Sequence, residues 1–137
     1  MKKAIQLFTL FCLSIVSMCG CAQTEATPLC RVVTSVDISC QQEDVLISRH
    51  YTNMEKMENV LLYLRLLKPG RKPQTDPEEL DADVYEITVS LSDGEKKTYR
   101  QKDHRYLAEG DRPWQTIDPE QAAGLYRLMR QQPSDSV

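Results

Sequence analysis

Histidine is nearly missing from this chain: His50 and His104 are the only two in 137 residues. They fall at a strand end and in a turn, so no His-Glu-x-x-His zinc motif can form and a nucleophile–base pair has few candidates. No Gly-x-Ser-x-Gly elbow is present either. The five glycines are scattered singly, which rules out a glycine-rich phosphate loop. Excess positive charge is also lacking. The formal net charge is −3, which argues against a nucleic-acid partner. Asp103, His104 and Asp111 come nearest to a metal-binding group. They lack ligand spacing, and a polar pair in a hairpin turn is the simpler account. The expectation is a protein with no cofactor, no metal and no catalytic residue.

Only one long apolar run is present, Ala4 to Met18, directly after Met1-Lys2-Lys3. A basic start followed by a short apolar core is the layout of a secretory signal. Its 15 residues fall short of the roughly 20 that a membrane-spanning helix needs. The run ends in Met18-Cys19-Gly20-Cys21. This resembles the lipobox of bacterial lipoproteins, with Gly20 as the small residue and Cys21 as the residue that takes lipid. Met18 stands where leucine is usual, and Cys19 where a small residue is usual. The resemblance implies cleavage before Cys21 and anchoring to the membrane through lipid on Cys21. The competing reading is ordinary cleavage after Ala22 and secretion. Loss of residues 1–20 removes Lys2 and Lys3 from the 17 Lys+Arg, leaving 15 against 20 Asp+Glu and a net charge of −5.

Of five cysteines, Cys12 and Cys19 leave with the signal. If Cys21 is lipidated, Cys30 and Cys40 remain. Outside the cytoplasm a disulfide between them is chemically allowed. Cys30, Val32, Thr34, Val36, Ile38 and Cys40 nevertheless alternate along one apparent strand. Ten extended residues reach about 33 Å, too far for a bridge. A continuous strand therefore predicts two thiols, and a bend near Cys30 would permit the disulfide.

Residues 21–29 read as a tether and 30–133 as a single domain, with a short tail at 134–137. Strands are expected over Arg31–Ser39 and Val45–Tyr51, joined by a turn at Gln41–Asp44. Asn53 then caps a helix from Met54 to about Leu67. Its core stripe is Met57, Val60, Leu61 and Leu64. Leu62, Tyr63 and Leu66 widen the apolar arc beyond what one sheet face requires. That arc is a candidate surface for a protein partner or for lipid headgroups, unless the following linker folds back over it. The linker, 68–82, contains Pro69, Pro73 and Pro77. It starts basic at Lys68, Arg71 and Lys72 and turns acidic from Asp76, where a single helical turn could open.

Val84 to Leu91 alternates as a half-buried strand, and Ser92-Asp93-Gly94 marks a hairpin. A three-residue loop with Gly94 left-handed places Ile87 opposite Tyr99 and Glu86 opposite Arg100, which keeps the apolar set on one face. A second turn at Asp103-His104 is expected to pair Gln101 with Tyr106 and Tyr99 with Ala108. A short strand over 114–117 follows. Asp118 and Pro119 then open a helix, with Gln121 completing a capping box and Ile117 and Ala122 a hydrophobic staple. Ala122, Leu125, Tyr126 and Met129 form its buried stripe. Trp114 and Tyr99 are expected against this helix.

Superposing Asn53 on Asp118 aligns the two helices, so the chain reads as two degenerate strand–strand–helix units. That makes an α+β domain, an antiparallel sheet with both helices on one face. The topology is similar to that of PepSY-type domains and of the β-lactamase inhibitory protein. Such a similarity speaks to fold and leaves function open. A second candidate surface is the outward face of the hairpin, with Lys96, Arg100 and Lys102 beside Glu86. The functional expectation is a membrane-anchored, extracytoplasmic binding module with an envelope protein partner. The alternatives are an inhibitor of an envelope or secreted enzyme and, third, a small hydrolase.

Overall fold

The strands found are β1 (Val33–Gln42), β2 (Val45–Tyr51), β3 (Val84–Leu91), β4 (Lys96–Lys102), β5 (Tyr106–Glu109) and β6 (Gln115–Thr116). The computed structural model describes residues 31–135. All neighbours are antiparallel, in the order β2-β1-β3-β4-β5-β6. The fold is α+β, as expected. The first strands of the two units, β1 and β3, pair at the centre of the sheet, with Ile38 opposite Ile87 and Val36 opposite Val89. Alternation along these strands turns Val36, Ile38, Cys40, Tyr85, Ile87 and Val89 into one buried face.

The β3–β4 hairpin adopts the expected register, with Ile87 opposite Tyr99 and Glu86 opposite Arg100. Gly94 has φ +87°, a left-handed conformation that glycine adopts without a Cβ penalty. The next turn differs from expectation by one residue. Gln101 pairs with Leu107 and Tyr99 with Glu109. Both Asp103 and His104 take positive φ, 53° and 52°, and Arg105 is inserted after them. The Arg105 N–H donates to Lys102 O at 3.1 Å and its carbonyl accepts from Ile117 N at 2.8 Å. The extra residue turns Leu107 inward, opposite Gln101, and puts Ala108 on the outer face opposite Arg100. The first strand is also displaced: it runs on to Gln42, because the ladder with β2 continues to the Gln42–Val45 pair.

Three helical segments follow the strands: α1 (Met54–Leu66), α2 (Pro119–Ala122) and α3 (Gly124–Gln131). Asn53 caps α1 by accepting from Lys56 N at 3.3 Å. Asp118 caps α2, accepting from Glu120 N at 2.8 Å and Gln121 N at 3.3 Å. The single expected second helix is therefore interrupted at Ala123. Ala122, Leu125 and Met129 are buried as the stripe predicts, with Ile117 beside them. Tyr126 is not buried: it is 42% exposed and its ring lies against the Arg130 guanidinium, 5.8 Å from the centroid. In α1 the buried residues are Met57, Val60 and Tyr63, with Leu67 just beyond, while Leu61 and Leu64 are only partly buried.

The linker does not cover the apolar arc of α1. It runs instead along β6 and over the outer face of the sheet. Gly70 N donates to Thr116 O at 2.8 Å, and Thr116 N donates to Arg71 O at 2.9 Å. The 3-10 turn Pro77–Glu79, capped by Asp76, then buries Pro77. Trp114 belongs to this outer layer and not to the helix side. Its ring stacks on Arg100, 4.9 Å from the guanidinium carbon, and its indole N–H donates to Glu78 Oε1 at 2.8 Å. The loop at 110–113 resets the alternation of strand faces, so β4 parity carries no information about Trp114. Tyr99 does face the core, but next to Leu64 and Pro69 after α1.

Ser134 and Asp135, expected as part of a tail, dock on the chain: Ser134 on the end of β2 at His50 and Asp135 on the start of α1. The Asp135 carboxylate accepts from Thr52 N and Asn53 N, both at 2.7 Å, and from Lys56 Nζ at 2.6 Å. These bonds, led by the Lys56 ammonium, hold its carboxyl well below the usual carboxylate range. A folded-state value below the unfolded one stabilises the fold at neutral pH and is lost as acid protonates the group. Asp135→Asn is therefore expected to lower the melting temperature at pH 5–8. Its deficit relative to the parent should shrink below about pH 4, where unfolded aspartate also takes up its proton. A deficit of the same size at pH 3 and pH 7 would overturn this account.

Candidate functional site

α1 and α3 lie side by side on the sheet, and a groove of about 470 Å³ opens between them toward solvent. Leu62 and Leu66, one turn apart on α1, form one wall and are each 49% exposed. Arg127, Leu128 and Gln131 of α3 form the other, and Asn59 closes one end by donating to Gln132 Oε1 at 2.6 Å. The floor includes Tyr63, the third member of the expected arc. It is only 8% exposed, because the second helix lies over its ring edge at Gly124.

The Tyr63 hydroxyl points down to the sheet. It donates to Gln101 Oε1 and also lies 3.2 Å from Ala122 O, and Gln101 Nε2 donates to Ala122 O at 3.2 Å. Gln101 is fully buried. A glutamine on the core face of β4 satisfies the carbonyl at the helix interruption, where a helical hydrogen bond is missing. Burial pushes the Tyr63 hydroxyl up from its ordinary value, so it stays a neutral donor. Sequence reading misses this trio. Its one visible signal is Gln101 itself, a polar residue on the apolar parity of a strand.

The basic face is assembled in register but is not open. Lys96 is exposed near the hairpin end. Arg100 is sandwiched by Trp114 and Glu78, whose Oε1 is 3.5 Å away. Lys102 is 6% exposed. The linker and Trp114 thus divide the three cations.

Catalytic groups do not converge. The His50 ring meets Asp37 Oδ1 at 2.6 Å on the outer side of the sheet, with both side chains roughly half exposed. His104 lies beside Tyr85, the two rings tilted by 39° with centroids 5.9 Å apart. Cys40 is a buried free thiol. Burial, then the nearby Asp83 charge, pushes it up from its ordinary value, which disfavours the nucleophilic thiolate. Among the described residues, no three His, Cys, Asp or Glu side chains come together as metal ligands do. Cys21, Cys30 and the expected signal and tether lie outside the described residues. No helix among the described residues is long and apolar enough to cross a membrane. Compared with protein-family models, with curated proteins and with solved structures, the chain has no significant match.

Proposed function

We propose that this chain is a small extracytoplasmic lipoprotein, anchored by lipid on Cys21, that binds a protein partner through the interhelical groove and turns over no substrate. The observation that carries the reading is the pair Leu62 and Leu66, half-exposed one turn apart along an open groove. Apolar side chains at i and i+4 beside a concave floor are the arrangement that takes up an apolar anchor from a partner. The amides of Asn59 and Gln131 and the cation of Arg127 supply the polar rim such a contact needs. The basic face serves less well, since Arg100 and Lys102 are already engaged or covered.

The test is capture from detergent-solubilised envelope by the processed chain. Leu62→Asp and Leu66→Asp should each lower capture of the partner more than tenfold, because a carboxylate would be desolvated at the contact. Parent capture should survive 0.5 M salt, which screens exposed charges within a few ångströms. The triple exchange of Lys96, Arg100 and Lys102 to glutamate should leave capture intact if the variant remains folded. Equal capture by the parent and both leucine variants would rule the groove out. Cys21→Ser should lose radiolabelled palmitate and leave the membrane fraction. Retention there with a normally cleaved signal would remove the anchor from this reading.

A further inference from the structure

β2 is an edge strand, and its two halves are treated differently. At the upper end His50 N donates to Ser134 Oγ at 3.1 Å and His50 O accepts from Asp135 N at 2.9 Å. These bonds show that the His50 peptide groups face away from β1. Outward-facing residues recur every second position along an antiparallel edge, so the peptide groups of Ser48 and Leu46 face outward too. Among the described residues no backbone group covers them. Among the described residues, the one hydrogen bond on this side is from Arg49 Nη1 to Ser48 O at 2.9 Å. The opposite edge of the sheet, β6, is closed by the linker at Gly70 and Arg71. The open stretch also carries two of the most exposed apolar side chains in the domain, Val45 at 61% and Leu46 at 64%. Exposed edges are ordinarily blunted by lysine, proline or a bulge, and Val45–Ser48 contains none of these.

We propose that this edge pairs with the same edge of a second copy of the chain, antiparallel about a two-fold axis through Leu46. The pattern of the strand is self-complementary in this register. Leu46 would meet Leu46 of the second copy, with both outward N–H and C=O groups exchanged. Val45 would meet Ile47 of the second copy, so both exposed apolar side chains are covered at once. Glu43 would come beside Arg49, an acid against a base at each end. The pairing also stops where the tail begins, since His50 would face Gln42, where the chain has already turned into β1. A register centred one residue further along would need the His50 edge that Ser134 and Asp135 occupy. An isologous contact of this kind closes on itself and joins two sheets of six strands into one. It uses neither the interhelical groove nor the anchor.

The test is site-directed disulfide formation in native membranes, with the whole exported chain in a Cys30→Ser background. Leu46→Cys would put two thiols on directly opposed residues about 5.5 Å apart at Cα, within disulfide reach. Ser48→Cys would put them about 13 Å apart along the strands, out of reach. Mild oxidation should therefore give at least tenfold more covalent dimer from Leu46→Cys than from Ser48→Cys or the background chain. A second measurement does not need cysteine. Leu46→Pro removes an outward N–H without touching the β1–β2 ladder, a place where an edge strand accepts proline. Sedimentation of the solubilised parent should show a concentration-dependent dimer, and this variant a monomer with unchanged far-UV circular dichroism. Equal cross-linking from both cysteine positions, or a parent that stays monomeric at every concentration, would overturn the proposal. Occupation of the edge by another protein or by residues 1–30 would give that second result.

Discussion

Replacing Leu125 by alanine is expected to destabilise the domain by about 2–5 kcal/mol and to lower its melting temperature by at least about 8 °C. Leu125 is fully buried; it and Met129 are the buried residues of α3, and Leu128 packs partly buried against the same core. α3 is only eight residues long and has no side-chain cap, Ala123 preceding it. A helix this short is not stable by its own hydrogen bonds and persists because it is docked. Leu125 belongs to one buried cluster with Val36, Ile38, Ile87 and Val89 of the two central strands, whose ladders resist collapse into the cavity left by the deletion. That argues for the upper half of the range. Tyr126→Ala, at the exposed neighbouring position, should cost less than about 1 kcal/mol. Urea titration of both variants decides the matter. Equal losses would mean that α3 is held by something other than its apolar stripe. Undocking α3 also removes one wall of the groove, so partner capture should fall with Leu125→Ala but not with Tyr126→Ala.

Breaking the buried trio beneath the groove is expected to have the second-largest effect. Gln101→Leu leaves the Tyr63 hydroxyl with Ala122 O as its only acceptor, and Tyr63→Phe leaves Gln101 Oε1 without its donor. Each should cost about 1–3 kcal/mol, the range for stranding a buried polar group. The double variant should cost clearly less than the sum, because removing both partners strands fewer atoms. A double-mutant cycle reads this directly. Strict additivity would show that the hydroxyl and the amide do not depend on each other. The pH dependence provides a separate check. Burial raises Tyr63, and raises Tyr85 to about 12. The unfolded chain ionises tyrosine near pH 10, so stability from these groups is complete below that pH and declines above it. Tyr63→Phe should make the alkaline decline shallower.

Several features of this fold are legible one residue at a time. The alternation from Val84 to Leu91, together with Gly94, specified the hairpin register, because a one-residue slip would have exposed the apolar set. Asn53 and Asp118 marked both helix starts, since only a short polar side chain there satisfies the free N–H groups. The α+β architecture followed from these local signals. The neighbouring turn was settled by a distant contact. Asp103 and His104 identified its position, but whether Arg105 counted as strand or as inserted residue depended on Ile117 reaching back to its carbonyl.

What tertiary structure decided is which surfaces remain open. Helical periodicity placed Leu62, Tyr63 and Leu66 on one broad arc, and it could not say which of them the second helix would cover. Packing of α3 covered Tyr63 and left the two leucines at the rim. Strand parity placed Lys96, Arg100 and Lys102 on one face, but the linker returned to that face and closed half of it through Trp114 and Glu78. Asp135 was one acid among 20 until the end of the chain came to rest on the start of α1. In each case the sequence alone determined a local preference, because capping, alternation and turn conformation act over a few residues. The pairing of groups 36 to 83 positions apart depends on where whole elements come to lie against one another, and only the assembled core sets that.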